Sequence, residues 1–319
     1  MRYTKRGLLC LLGSLWSATV FAQPNFDEVE IQTLHVQGNI YMLVGAGGNI
    51  TVQVGEQGVL IIDTMYEPLA DKIYAAIREL SNKPLTFIIN SHGHPDHVGG
   101  NVPLAGMGSN IAGGNTVDLF AAGSGNQAKI VAHENVLNSI ISQDNPMAIE
   151  GWPTDTYFTE RKDLFFNGEA IVITHQPNAH TDGDSFIFFR RSDVIATGDI
   201  FTTTGYPYID VANGGSLQGI LDGLNNLLDM IVPADRQEGG TQVIPGHGRI
   251  SDEADVLVYR DMLTIIRDRI AYRIEQGDNL RQVMASEPTY EYDARYGSDS
   301  GFWTTANFIE AVYNELSTR

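Results

Sequence analysis

One run of ten residues constrains this chain more than any other: Ser91-His92-Gly93-His94-Pro95-Asp96-His97-Val98-Gly99-Gly100. Four potential metal ligands fall within six residues, in the order His, His, Asp, His. Imidazole nitrogen and carboxylate oxygen suit Zn²⁺ and neighbouring divalent ions. Packing alone does not account for the run. A buried imidazole needs a polar partner, and three so close together would compete for partners. The run follows Leu85–Asn90, which reads as an apolar strand. Strand ends that lead into loops are where α/β and sandwich folds place their chemistry.

The first half of the chain is strand-rich. Ile31–Val36, Ile40–Val44, Ile50–Val54 and Val59–Asp63 are short β-branched runs separated by Gly or Asn-Gly turns, which predicts a meander. Residues 67–80 carry apolar side chains at helical spacing. Gly99 to Gln127, with Gly-Gly-Asn at 99–101 and again at 113–115, reads as an inserted flexible loop beside the cluster, either a lid or a plain surface excursion. In the second half Glu169–Thr174, Ser185–Arg190, Asp193–Thr197 and Gln242–Ile244 read as strands. Ser216 caps an expected helix with apolar positions from Leu217 to Ile231. Residues 252–275, 278–285 and 302–316 read as helices.

At the N-terminus Arg2, Lys5 and Arg6 precede an apolar run from Gly7 to Trp16, and Val20-Phe21-Ala22 supplies a cleavage site. Residues 1–22 thus read as a signal peptide, which predicts a periplasmic or secreted protein. The apolar run is shorter than the roughly 20 residues a spanning helix needs, which disfavours an uncleaved anchor. The only cysteine, Cys10, would leave with the signal, so neither a disulfide nor a thiolate ligand is expected. The formal charge of −19 becomes more negative by the three basic residues lost. So acidic a chain repels phosphate backbones and anionic lipid surfaces, so neither nucleic acid nor a membrane is an expected partner. A small-molecule substrate is expected instead. Residues 23–319 are long enough for one domain, with 252–319 as a helical tail.

One local cluster gives too few ligands for a closed catalytic site. Three further loops at strand exits supply His or Asp beside Gly: Asn178–Asp184 with His180, Thr197–Ile200 with Asp199, and Pro245–Gly248 with His247. With these in place the chain resembles the metallo-β-lactamase superfamily. The His-x-His-x-Asp-His run at 92–97 matches its signature, and Asp63, His180, Asp199 and His247 stand where its other motifs fall. The likeness runs from about Ile31 to Gly248.

The resemblance implies an α/β fold, an αββα sandwich, with two zinc ions per chain along one edge of the sheets. His92, His94 and His180 would hold the first metal, Asp96, His97 and His247 the second, and Asp199 both. It also implies a hydroxide between the metals as nucleophile, with Asp96 in the catalytic machinery. Two metals lower the pKa of a shared water and stabilise the oxyanion it creates. Asp63 would orient a ligand by a hydrogen bond, or serve only as a turn residue at a strand end.

His35, His133 and His175 are expected outside the coordination. His133, at a strand-to-helix junction, is the rival of His180 for the third-ligand place. With no cysteine near the second metal, the chain is more similar to cysteine-free relatives such as glyoxalase II and lactonases than to cysteine-bearing β-lactamases. Its Ala179-His180-Thr181-Asp182-Gly183 departs from the Gly-His-Thr-Pro-Gly of glyoxalase II. Phe201–Asp210 is expected to overhang the metals, where Tyr206 or Tyr208 would donate to a substrate oxyanion or simply pack beside Pro207. No Lys or Arg lies in that segment to clamp a carboxylate. The expected activity is hydrolysis of a carboxylic ester, lactone or thioester. The alternatives are a cysteine-free β-lactam hydrolase and a non-catalytic zinc-binding module.

Overall fold

In the computed structural model, residues 25–109 and 127–318 are described. The expected signal peptide, and residues 110–126 of the Gly-rich insertion, lie outside them. Among the described residues twelve strands form two sheets. The first holds β1 (Gln32–Gln37), β2 (Ile40–Val44), β3 (Ile50–Gly55), β4 (Gly58–Ile62), β5 (Leu85–Ile89), β6 (Lys129–His133) and β7 (Asp155–Tyr157), in that spatial order. The second holds β8 (Arg161–Phe166), β9 (Glu169–His175), β10 (Ser185–Phe189), β11 (Val194–Ala196) and β12 (Gln242–Ile244). Helices cover the outer faces, giving the expected αββα sandwich.

Alternation along the strands builds the layers. On β4, Leu60 and Ile62 point into the core between the sheets, with Ile171, Ile173, Ile187 and Phe189 from the second sheet. Val59 and Ile61 point the other way, against α1 (Ala70–Leu80). α1 presents Ile73, Ala76 and Ile77, one stripe of a 3.6-residue period. On the far side, α5 (Leu217–Met230) and the long α6 (Glu253–Glu275) cover the second sheet. Ser216 caps α5 by accepting from the Gly219 amide, as its sequence promised.

Strand direction decides where the chemistry gathers. β4, β5 and β6 are parallel, so their C-terminal ends share one edge. β9 and β11 are each antiparallel to β10, and β12 is parallel to β11, so these three also run in a common direction. The loops leaving β4, β5, β9, β11 and β12 are those that carry Asp63, His92–His97, His180, Asp199 and His247. Backbone bonds stitch the sheets together there: the Ser185 amide donates to Ser91 O at 2.9 Å, and the Asn49 amide to Gly246 O at 2.7 Å.

Several expectations need correction. Part of the supposed loop after Gly99 is helix α3 (Asn101–Met107), because Leu104 and Ala105 bury against the α1 side of the first sheet. Pro103 is tolerated there because it falls in the first turn. A four-residue helix α2 (Pro95–Val98) carries the end of the His cluster, and α4 (Glu134–Ile141) follows β6. In the tail, α7 (Leu280–Ala285) and α8 (Tyr290–Tyr296) precede α9 (Thr305–Ser317). The last helix starts three residues later than its apolar spacing suggests, because Thr304 and Asn307 form a reciprocal capping box. Residues 297–304 are therefore a loop, and it reaches back to the site.

Candidate metal centre

Five imidazoles and two carboxylates converge at the common edge. One atom each from His92, His94, His180 and Asp199 lies within 4.8 Å of the others, and the same holds for Asp96, His97 and His247. Asp199 sits between the groups: its oxygens are 3.2 Å from His97 Nε2, 3.4 Å from His247 Nε2 and 3.7 Å from His180 Nε2. His247 Nε2 is also 3.3 Å from Asp96. All seven sequence-expected residues are brought together.

The outer nitrogens of four of these rings are already engaged. His97 Nδ1 donates to Asp63 Oδ2 at 2.8 Å, His94 Nε2 to Asp210 Oδ2 at 2.8 Å, and His180 Nδ1 to the Tyr208 carbonyl at 2.7 Å. Ser91 Oγ donates to Asp63 Oδ2 at 2.6 Å and accepts from His92 Nδ1 at 3.0 Å. With their outer nitrogens donating, the neutral forms of His92, His94 and His180 turn a lone pair inward, while the burial of His97 is outweighed by Asp199, Asp63 and Asp96, which raise that ring well above the usual imidazole value. Yet His94 Nδ1 and His180 Nε2 face one another at 2.9 Å. His92 Nε2 and Asp199 Oδ1 are buried with no hydrogen-bond partner among the described residues. Burial pushes His180 down to about 4 and holds His92 well below the usual imidazole value. Neither ring is disposed to carry a proton, so a metal cation fits the converging lone pairs. In the second group burial opposes a charge on His247, but Asp199 and Asp96 outweigh it and raise that ring to about 9. That group too favours positive charge.

Asp63 is a hub rather than a ligand. Besides His97 and Ser91 Oγ, it accepts the Ser91 amide at 2.8 Å, so its oxygens are filled by donors. It takes a left-handed conformation, φ 64°, which an Asp at a turn tolerates. The turn reading and the orienting reading are thus both met by one residue. Gly246 and Gly48 have no side chain because a Cβ there would run into Asp199 and His97 respectively.

Tyr206 needs correction as an oxyanion donor. Its hydroxyl donates to Asp293 Oδ1 at 2.8 Å, and its ring stacks on Phe308 with centroids 4.7 Å apart. Burial and Asp293 push its pKa far up. It anchors the tail to the fold. Tyr208 instead stands beside the cluster, its ring 5.6 Å from those of His94 and His180. His133 lies outside the cluster: Nδ1 caps α4 by accepting from the Asn135 amide, and the ring stacks on His175 at 3.7 Å. His35 bonds Gly38 O on the edge strand. Sequence reasoning missed Asp210, which lies in a segment read only for its tyrosines.

A cleft of about 990 Å³ opens onto Asp96, Asp199 and His247. Tyr66, Tyr208, Phe302 and Trp303 are among its walls, and no Lys or Arg is among its described lining residues. Arg249 is paired with Asp255, and Arg295 lies over the ring of Tyr296, one of the lining residues, 4.9 Å from its centroid.

Comparison with known proteins follows the geometry. A family model described as the metallo-beta-lactamase superfamily matches residues 43–249. The stereoselective inverting sec-alkylsulfatase Pisa1 from Pseudomonas sp. is a structural neighbour, with TM-score 0.63 and 15% identity over 89% of this chain and 50% of that one. This chain thus spans about half the length of the sulfatase. A metallo-beta-lactamase from Pontibacter korlensis gives TM-score 0.56 and 14% identity over 74% of this chain and 99% of that one. The DIM-1 metallo-beta-lactamase gives 0.54 and 16% over the same shares. At these identities the likeness is one of fold.

Proposed function

The chain belongs to the metallo-beta-lactamase superfamily, and from that premise we propose that it is an exported, dinuclear zinc hydrolase of an uncharged carboxylic ester, lactone or thioester. The observation that carries the substrate class is the makeup of the cleft: aromatic rings stand beside Ser, Thr and Asp side chains, and no Lys or Arg is among its described lining residues. A substrate carboxylate or sulfate would find no cationic clamp there. For the same reason a β-lactam, which carries a carboxylate, is the weaker reading. A non-catalytic module is weaker still, because the ligand cluster opens into a cleft of substrate size. Export rests on Arg2, Lys5 and Arg6 ahead of the apolar run. Among the described residues no helix is long and apolar enough to cross a membrane.

His92, His94 and His180 would hold one zinc, and Asp96, His97 and His247 the other, with Asp199 shared. Bound zinc supplies an activated water at neutral pH and polarises the scissile carbonyl. The chain's own residues prepare for this. Asp63 and Asp210 fix which imidazole nitrogens point inward and raise their basicity. Asp96 reaches the cleft with a carboxylate held in its ionised form: burial opposes this, but His97 and His247 lower its pKa.

A turnover screen tests the reading. Neutral lactone, aryl ester and thioester substrates are set beside a chromogenic cephalosporin and a secondary alkyl sulfate. The expected result is a specificity constant for at least one neutral substrate well above those for both anions. A clear preference for the cephalosporin or the sulfate would overturn it.

A further inference from the structure

The loop between α8 and α9 places two large aromatic side chains beside the metal cluster, and one of them is largely exposed. Phe302 is 68% exposed although it lines the cleft. Its ring meets Tyr208 edge-on with centroids 4.8 Å apart, and Trp303 meets Tyr208 in the same manner at 4.8 Å. Tyr208 in turn is one ring away from His94 and His180. The three rings therefore make a continuous apolar surface that begins at the ligands and runs outward.

The surface is held in place. Trp303 Nε1 donates to the Pro207 carbonyl at 2.9 Å, tying the tail loop to the segment that follows Asp199. The loop closes on itself where the Thr305 amide donates to Ser298 O at 2.9 Å and the Ser298 amide to Thr305 Oγ1 at 3.0 Å. An exposed Phe on a braced loop, facing a site, loses little further freedom when a ligand covers it. Aromatic faces and edges free of cationic partners suit an uncharged apolar group.

We propose that Tyr208, Phe302 and Trp303 form a shelf that takes the apolar chain or ring of the substrate, so that the tail, outside the matched residues 43–249, sets which neutral substrates are preferred. The inference rests on the ester- and lactone-cleaving reading above, and its test separates the two. It is carried out on the full zinc-loaded protein, comparing wild type with Phe302→Ala and Phe302→Leu. Phe302 is exposed, so neither change should disturb folding; circular dichroism and metal content check this.

The first readout needs no turnover: fluorescence titration with N-phenyl-1-naphthylamine, a neutral apolar probe. Phe302→Ala should weaken binding by about tenfold, the effect of losing one large apolar contact, and Phe302→Leu should keep most of it. The second readout is lactone opening. Phe302→Ala should lower kcat/KM for γ-decanolactone by a similar factor, mostly through KM, and change γ-butyrolactone by less than about twofold. Unchanged probe binding, or an equal effect on both lactones, would overturn the shelf. Loss of probe binding in a protein that opens neither lactone nor any other neutral ester would support the shelf and overturn the hydrolase reading instead.

Discussion

Each imidazole whose outer nitrogen is engaged is aimed by a different partner: Ser91 for His92, Asp210 for His94, Asp63 for His97 and a backbone carbonyl for His180. Function at this scale depends on groups that touch no substrate. Asp63→Asn should keep the fold but weaken metal binding by about 10- to 100-fold, the usual scale for an outer partner of a ligating His; competition with a zinc chelator measures it. Asp199→Asn should cost about two orders of magnitude or more in turnover with little change in circular dichroism, and near wild-type rates would refute its shared position. Tyr206→Phe should do the reverse. It should leave kcat/KM close to wild type and lower stability by about 1 kcal/mol through the lost Asp293 bond, read by denaturant melts. The cluster itself was legible in the sequence because it is local. Asp210 was not, because its partner His94 lies 116 positions away. Choosing between Tyr206 and Tyr208 needed the path of an irregular loop, which no periodicity encodes.

Among the elements, amphipathic helices and β-branched strands read clearly, and α5 and β12 stand where expected. The misses share a cause. β8 alternates Arg161 and Asp163 outward with half-buried residues, and β7 is three residues long, so neither gives an apolar run. α8 is seven residues long and carries only tyrosines and one alanine as apolar side chains. The junction of β6 and α4 supplies an element-scale test. Burial, then His175, depresses the His133 pKa from 6.5 to about 4. The unfolded chain therefore takes up this proton first as pH falls. Stability due to the neutral ring is fully present above pH 6.5 and is lost towards pH 4. His133→Asn, which keeps a capping side chain, should make Tm fall less steeply than wild type between about pH 7 and about pH 4.5; parallel curves would contradict this. In the same element comparison, His133→Ala should retain the metals that His180→Ala partly loses.

For the whole molecule, the decisive feature is that strands of both sheets end at one edge, which gathers ligands spread from His92 to His247. Hydrophobic patterning alone gives strands without their neighbours or directions; the spacing of the His and Asp motifs, read through the family likeness, supplied the rest. The tail's return over the cleft was not legible, because it hangs on the Trp303 to Pro207 bond across 96 positions. Charge acts at this scale too. With a formal net charge of −19, the protein should repel anionic substrates at low salt. Raising NaCl from about 20 to about 300 mM shortens the screening length. It should therefore raise kcat/KM for a cephalosporin while leaving that for a neutral lactone unchanged, and equal responses would argue against field repulsion.

The central claim is that these seven residues hold a dinuclear metal site that performs hydrolysis. Elemental analysis of the chelator-stripped and zinc-reconstituted protein, coupled to turnover of a neutral lactone, tests it most directly. The expected result is about two zinc ions per chain at saturation, with activity rising alongside metal content. Saturation at one ion or fewer, or full activity in the stripped protein, would contradict it.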